Sequence, residues 1–196
     1  MRVLLVLLAL FVVAGCANAV VPAEDPEVPL FSTPAPPGTE EGREIPSTCA
    51  EVTTLEEIGQ ILNILVTGQV LPIVGVPQDN IGRTARLDCY FGVRTGQPAS
   101  TAPVWIGLAT YTDAQWAKRR LSNTVAEERS AGSRVSDVAV GSHRGVLLRG
   151  EQTWMLVAVR GHTTVVVTVK PDLVREDHVG ALLGQLADRA LTPSAL

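Results

Sequence analysis

The sequence predicts an α+β domain, in which an antiparallel sheet of about five strands carries helices packed on one face. Three observations support this prediction. Segments that alternate apolar and polar residues follow one another closely in the second half of the chain, with links as short as Gly150-Glu151. Links of that length join antiparallel neighbours. Segments with apolar residues at helical spacing precede, interrupt and follow these strands.

The helices are predicted from their caps and their apolar spacing. Thr54 and Glu57 have capping-box spacing, and Ile58, Ile61 and Leu62 then recur at helical intervals. A similar start at Thr112 predicts a second helix over 112–130, and a final helix is predicted over 175–191.

The clearest strand covers 86–94, because its residues alternate strictly between an apolar and a polar side. The other predicted strands are 104–111, 145–149, 153–160 and 163–170. The stretch between Gly68 and Gly82 contains several glycines and prolines, so we expect it to be a loop.

Residues 1–15 have the pattern of a lipoprotein signal peptide. Arg2 is followed by a short apolar run, and small residues then precede Cys16. The run is shorter than the roughly 20 residues that a membrane-spanning helix needs. We therefore expect Cys16 to become the lipidated first residue, with palmitate among its acyl chains, on the outer face of the cell membrane. The alternative is ordinary cleavage after Ala19, which follows an A-x-A site and would release a secreted protein.

The count of three cysteines fits the anchored form. If Cys16 carries lipid, Cys49 and Cys89 remain as one pair, and their disulfide would close a loop of 40 residues. Such a loop contributes about 4 kcal/mol to stability in the chain-entropy account. The alternative is that both remain free, buried thiols.

Residues 16–47 are rich in proline and acid, which predicts a disordered tether between Cys16 and a single domain at 48–196. The tether has six acidic residues and one arginine, so it accounts for the net charge of the chain, which is −4. The domain itself is close to neutral, which argues against a nucleic-acid partner.

Thr48-Cys49 before Leu55-Glu56-Glu57-Ile58-Gly59, with Leu87-Asp88-Cys89-Tyr90-Phe91 further on, resembles the actinobacterial lipoproteins grouped in a two-cysteine family of unknown function. Members of that family combine a lipobox, a low-complexity tether, a cysteine before the first helix and a cysteine-aromatic strand. The resemblance implies a lipid-anchored protein of the cell envelope. It implies little about mechanism.

The sequence lacks the motifs that supply catalytic chemistry. No G-x-S-x-G, S-x-x-K, Walker or H-E-x-x-H pattern occurs, so we expect no enzyme, no catalytic residues, no cofactor and no metal site. Ser142 and His143 are adjacent, but neighbours on a strand point to opposite faces and are expected to diverge.

One face of the predicted sheet collects aromatic residues framed by arginines. This pattern is typical of binding surfaces, since aromatics supply rigid contact area and arginines supply donors for acidic groups. The alternative is that a loop covers this face and makes it a second core. The candidate binding residues are Tyr90, Trp105, Tyr111, Trp154, Arg86, Arg149 and Arg160.

These observations favour a lipid-anchored, extracytoplasmic, non-catalytic binding module for an envelope lipid, glycan or protein. The alternative is an accessory or structural subunit of a membrane or cell-wall complex, with no small ligand of its own.

Overall fold

Seven antiparallel strands form one sheet, in a computed structural model that describes residues 42–193. The strands are β1 Gln69–Gly75, β2 Arg83–Val93, β3 Val104–Tyr111, β4 Arg134–Val140, β5 His143–Arg149, β6 Trp154–Arg160 and β7 Thr163–Val169. The helices are α1 Cys49–Val52, α2 Leu55–Leu62, α3 Ala114–Ser130 and α4 Val179–Leu191. The α+β class is confirmed, but the sheet is larger than the expected five strands.

The strand order across the sheet is β1-β2-β3-β7-β6-β5-β4. Helices α1, α2 and α4 cover one side of this sheet, which we call the core face. Helix α3 covers part of the other side, which we call the outer face. None of the helices between residues 42 and 193 combines the length and the hydropathy needed to cross a membrane.

The expectation that all helices pack on one face is therefore wrong. Helix α3 leaves β3 near the middle of the sheet and leads to β4 at its far edge, so it passes over the outer face. Its side toward the sheet buries only the small residues Ala117 and Thr124. Because the buried side of α3 has only these small residues, the sequence does not show which face of the sheet the helix covers.

The core face holds the large aliphatic side chains of the domain. Strands β2, β3, β6 and β7 contribute alternate residues to it, and α4 closes it from above. The buried side chains include Leu87, Phe91, Ile106, Leu108, Leu156, Val165, Val167, Leu183 and Leu186.

A disulfide joins α1 to the centre of β2 under this core. Cys49 and Cys89 are bonded, with their Cα atoms 5.6 Å apart. Cys89 lies on the core face between Leu87 and Phe91, as the alternation of 86–94 predicts. The predicted pair is confirmed. The neighbouring prediction is also confirmed, since Thr54 and Glu57 form a capping box at the start of α2.

The chain enters the domain earlier than expected. Arg43 is buried, and its guanidinium donates hydrogen bonds to the carbonyl oxygen of Ala190 and, at 2.7 Å, to that of Glu51. Thr163 Oγ1 donates to the Arg43 carbonyl at 2.6 Å. Carbonyls in the last turn of a helix such as α4 need partners from outside the helix, and a cation there is favourable.

The expected tether is therefore too long at its C-terminal end, because residues 42–47 belong to the domain. The rest of the tether and Cys16 lie outside the described residues.

Two strands were not predicted, and both are edge strands. Strand β1 occupies the expected loop and pairs with β2 from Gln69 to Gly75. Proline is tolerated at a sheet edge, where its missing N–H faces solvent, so Pro72 does not prevent the pairing. Ile73 and Val74 on this edge remain 47% and 76% exposed. Strand β4 forms the opposite edge and buries only Val140 fully, so its apolar pattern is weak.

Candidate binding site on the outer face

An aromatic pair lies on the part of the outer face that α3 leaves open. Tyr90 on β2 and Trp105 on β3 are register partners, and both side chains are partly exposed. Their ring centroids are 5.9 Å apart, with 15° between the ring planes. Stacked cross-strand aromatics stabilise the two strands and present a rigid apolar surface.

Asp88 fixes the position of the tryptophan ring. Trp105 Nε1 donates to Asp88 Oδ1 at 3.3 Å, and Arg86 Nε donates to Asp88 Oδ2 at 2.7 Å. The Arg86 guanidinium carbon also lies 6.0 Å from the Trp105 ring centroid, within cation–π range. The carboxylate is almost fully buried, with 8% of its side chain exposed, so this arrangement is desolvated and well defined.

A glycine makes room for the ring. A Cβ atom at Gly107 would lie 2.6 Å from Asp88 Oδ1 and 3.2 Å from Trp105 Cζ2. The first distance is shorter than any ordinary contact, so a larger residue at 107 would displace the carboxylate. The absence of a side chain at Gly107 therefore allows Asp88 and Trp105 to meet.

The local electrostatics keep Arg86 charged and Tyr90 neutral at physiological pH. Burial acts to lower the pKa of Arg86, but the hydrogen bond and charge of Asp88 outweigh it and raise the pKa above its ordinary value. Burial raises the pKa of Tyr90, and the negative charge of Asp88 raises it further. The site thus presents a permanent cation and a phenol that can donate a hydrogen bond.

We call the open depression beside this pair the aromatic groove. Its volume is about 420 Å³, and Tyr90, Trp105, Met155, Pro103, Gln152 and Lys170 are among the residues that line it. The walls combine aromatic and apolar side chains with several polar ones, among them Gln152 and Thr168. Grooves of this size and composition suit an apolar or amphipathic small molecule.

A second space lies between α3 and the sheet, and we call it the α3 cavity. Its volume is about 90 Å³. Gly107 and Ala109 leave the space open on the sheet side, and Arg86 and Arg120 both reach its lining. Trp105 and Met155 line both the aromatic groove and the α3 cavity, so the two spaces meet at these side chains.

No family model matches the chain, and no curated protein matches its sequence. Among solved structures, the extracellular domain of PknH from Mycobacterium tuberculosis is similar to it. The match has a TM-score of 0.50 and 11% sequence identity, and it covers 77% of this chain and 98% of that chain. At this identity the likeness concerns the fold alone.

Four of the seven candidate residues lie on the outer face near one another. Tyr90, Trp105 and Arg86 form the arrangement described above. Tyr111 lies nearby and lines the α3 cavity, but it is covered by α3 and only 4% exposed. The alternative of a covered face is thus realised over part of the sheet, by a helix rather than by a loop.

The placement of Trp154 on the outer face is wrong. Trp154 is the register partner of Val169 and lies on the core face with Leu156. Only 8% of Trp154 is exposed. Val157 lies on the outer face and lines the α3 cavity, as Met155 does. Strand β6 is apolar at both alternating sets of positions, so its sequence cannot show which set faces the main core.

Arg149 and Arg160 do not frame the aromatic pair. Arg149 is register partner to Trp154, and its Nη1 lies 3.3 Å from Glu176 Oε1, just before α4. Arg160 Nη1 donates to the carbonyl oxygen of Leu191, at the end of α4, at 3.4 Å. Arg160 lies on β6, and Arg149 lies on β5 opposite Trp154, so both are on the same side of the sheet as Trp154. The same one-residue error on these two paired strands misplaced all three residues.

The sequence reasoning missed Asp88, Met155, Gly107 and Arg120 as parts of the site. Asp88 lies between Arg86 and Tyr90 in the set of alternate β2 residues that face outward. The strict alternation of β2 could therefore have placed Asp88 on the same face as the aromatic pair. Arg120 belongs to a run of three basic residues that reads as a solvated helix face. In the structure Arg120 lines the α3 cavity, whereas Arg119 lies 4.6 Å over the Trp116 ring.

Ser142 and His143 do not diverge as expected. Ser142 Oγ lies 3.4 Å from His143 Nε2, because Ser142 is in the turn before β5 and not in a strand. The contact is longer than an ordinary hydrogen bond to a hydroxyl and lies in an exposed turn. Within residues 42–193 no group of three or more His, Cys, Asp or Glu side chains is placed to hold a metal ion.

Proposed function

We propose that the protein is a non-catalytic, extracytoplasmic binding module, held at the membrane by lipid on Cys16, whose aromatic groove takes an amphipathic molecule of the cell envelope. The observation that carries the proposal is the partly exposed Tyr90–Trp105 pair in the wall of a 420 Å³ groove. Aromatic side chains left accessible in a concave apolar site are typical of ligand recognition.

The architecture of the site supports binding rather than mere packing. Two buried or half-buried polar contacts hold Trp105 through Asp88, so the ring is positioned before any ligand arrives. A preformed site loses less conformational entropy on binding than a flexible one. Among residues 42–193, the only cation lining the groove is the exposed Lys170, which suits a ligand with an acidic group next to its apolar part.

The proposed location has separate support. A disulfide forms and persists in oxidising compartments, and Cys49–Cys89 is such a bond. The signal-like residues 1–15 and the small residues before Cys16 support export and lipidation. The fold shared with an extracellular domain is consistent with the same side of the membrane.

The test is native mass spectrometry of the protein extracted in mild detergent from the cells that make it. The wild type should carry the mass of a diacylglyceryl anchor and a further discrete amphiphile. Trp105→Ala should lose the amphiphile and keep the anchor. Trp116→Ala is the matched control, because Trp116 packs against Gly82 near the start of α3 and does not line the groove.

Three other outcomes would contradict parts of the proposal. Retention of the amphiphile by Trp105→Ala would show that the groove is not its site. A mass that begins at Val20 would replace the anchored form with a secreted one. A bare lipoprotein that arrives with a protein partner would favour the accessory-subunit function.

A further inference from the structure

We propose that the α3 cavity is an anion subsite that takes the phosphate group of a phosphorylated amphiphile whose apolar part lies in the aromatic groove. The binding of the apolar part in the aromatic groove rests on the proposed function. The binding of the phosphate group does not, because the α3 cavity can bind a phosphate alone.

Cations converge on the cavity from both of its walls. Arg86 reaches it from the sheet and Arg120 reaches it from α3, and Asp88 is the acidic residue in the lining. Asp88 is engaged by Arg86 at 2.7 Å, so it offsets one of the two positive charges. Arg120 has a distant, solvent-exposed partner in Glu127 at 3.9 Å, which leaves its guanidinium available to a ligand.

A third arginine adds to the positive potential. Arg83 is 8% exposed, and its Nε has no hydrogen-bond partner among residues 42–193. Burial lowers the pKa of Arg83, and the positive charges of Arg86 and Arg120 lower it further. Arg83 itself does not line the cavity, so it adds to the positive potential from behind the lining. An anion between Arg86 and Arg120 would offset this positive charge, and the low local dielectric would strengthen the attraction.

The lining also supplies neutral donors and a suitable size. Tyr111, Thr124 and Thr164 line the cavity, and all three residues are buried. Thr164 Oγ1 donates to the Ala109 carbonyl oxygen at 3.5 Å, so the hydroxyl groups of Tyr111 and Thr124 are the neutral donors for a ligand. A volume of about 90 Å³ is comparable with that of about three water molecules. That space suits a phosphate group and is too small for a sugar ring. Guanidinium groups arriving from two sides favour phosphate, which presents oxygens in several directions.

The position of the cavity explains why the ligand would be amphipathic. The cavity and the groove meet at Trp105 and Met155, so a phosphate held by Arg86 and Arg120 would direct an attached chain past these side chains into the groove.

The experiment is isothermal titration calorimetry of the full chain with three probes: octyl phosphate, octyl glucoside and inorganic phosphate, each below any micelle concentration. Octyl phosphate should bind at least about ten-fold more tightly than octyl glucoside, which shares the chain but not the charge. Arg120→Gln should remove most of this difference while leaving octyl glucoside binding unchanged. Arg129→Gln is the matched control, because Arg129 is exposed on the same helix and does not line the cavity.

The outcomes separate the two proposals. Equal affinities for octyl phosphate and octyl glucoside, or equal behaviour of Arg120→Gln and Arg129→Gln, would overturn the anion subsite and leave the groove standing. Binding of inorganic phosphate without either amphiphile would support the subsite for free phosphate and overturn the groove as the ligand site. If none of the three probes binds, both proposals fail.

Discussion

The two faces of the sheet use different side chains for different tasks. The core face is filled by large aliphatic residues, crosslinked by Cys49–Cys89 and closed by α4. Under α3 the outer face holds the small residues Gly107 and Ala109, with Ala117 of the helix packed near Ala109, and beyond α3 it presents the Tyr90–Trp105 pair. The stability of the domain thus resides mainly on one face, which leaves the other free to carry cavities, paired charges and exposed aromatics.

The largest expected effect on stability comes from removing the disulfide on the core face. Replacing both cysteines, as Cys49→Ala with Cys89→Ala, should lower the free energy of unfolding by about 4 kcal/mol, because the loop closed by 40 residues becomes free in the unfolded chain. Urea denaturation measures the loss. The folded fraction should keep its ligand affinity, since the bond lies on the core face. A loss of affinity in fully folded protein would mean that the two faces are coupled.

Two tryptophans on opposite faces give the next test. Trp154→Ala should cost about 3 kcal/mol of stability, because it empties a buried position on the core face. Trp105→Ala should cost less than half of that, because its ring is partly exposed, and should abolish ligand capture. Urea denaturation of both variants with a parallel binding measurement gives the ranking. A larger stability loss in Trp105→Ala would place the aromatic pair in the core.

The contrast between these two residues also shows how far the sequence reveals the fold. Strand β2 places Leu87, Cys89 and Phe91 on one side and charged or aromatic residues on the other, so its register, the disulfide and half of the site were predictable. Strand β6 runs Trp154, Met155, Leu156, Val157 with apolar residues on both sides. Its orientation depends on which helix covers each face, and no local pattern carries that information.

The unpredicted edge strands have a related cause. Strand β1 contains Pro72 and ends at Gly75, residues that locally favour a loop, and pairing with β2 overrides that preference. The α3 cavity was also beyond prediction, because it exists only where a helix with small residues crosses Gly107 and Ala109. Sequence patterns predict single elements well, but the spaces between elements follow from how the chain crosses the sheet.

A smaller effect is expected at the glycine beneath the site. Gly107→Ala should destabilise the protein by about 1–2 kcal/mol, because the new Cβ would lie 2.6 Å from Asp88 Oδ1. The displaced carboxylate would release Trp105, so ligand affinity should fall as well. Ala109→Gly serves as the control for a small change nearby in the same cavity. Unchanged stability and affinity in Gly107→Ala would mean that the Asp88–Trp105 contact is not fixed.

The smallest expected effect is a gain in stability at Thr168. Thr168 lies on the outer face between its register partners Trp105 and Met155, and its Oγ1 is buried with no hydrogen-bond partner among residues 42–193. Thr168→Val keeps the shape and removes an unsatisfied hydroxyl, so stability should rise by about 1 kcal/mol. Thr163→Val on the same strand is the matched control and should lose stability, since Thr163 Oγ1 donates to the Arg43 carbonyl at 2.6 Å. Thermal denaturation of both variants compares them. A loss of stability in Thr168→Val would show that this hydroxyl is hydrogen-bonded in solution, and Thr168 would then be a polar anchor in the lining of the groove.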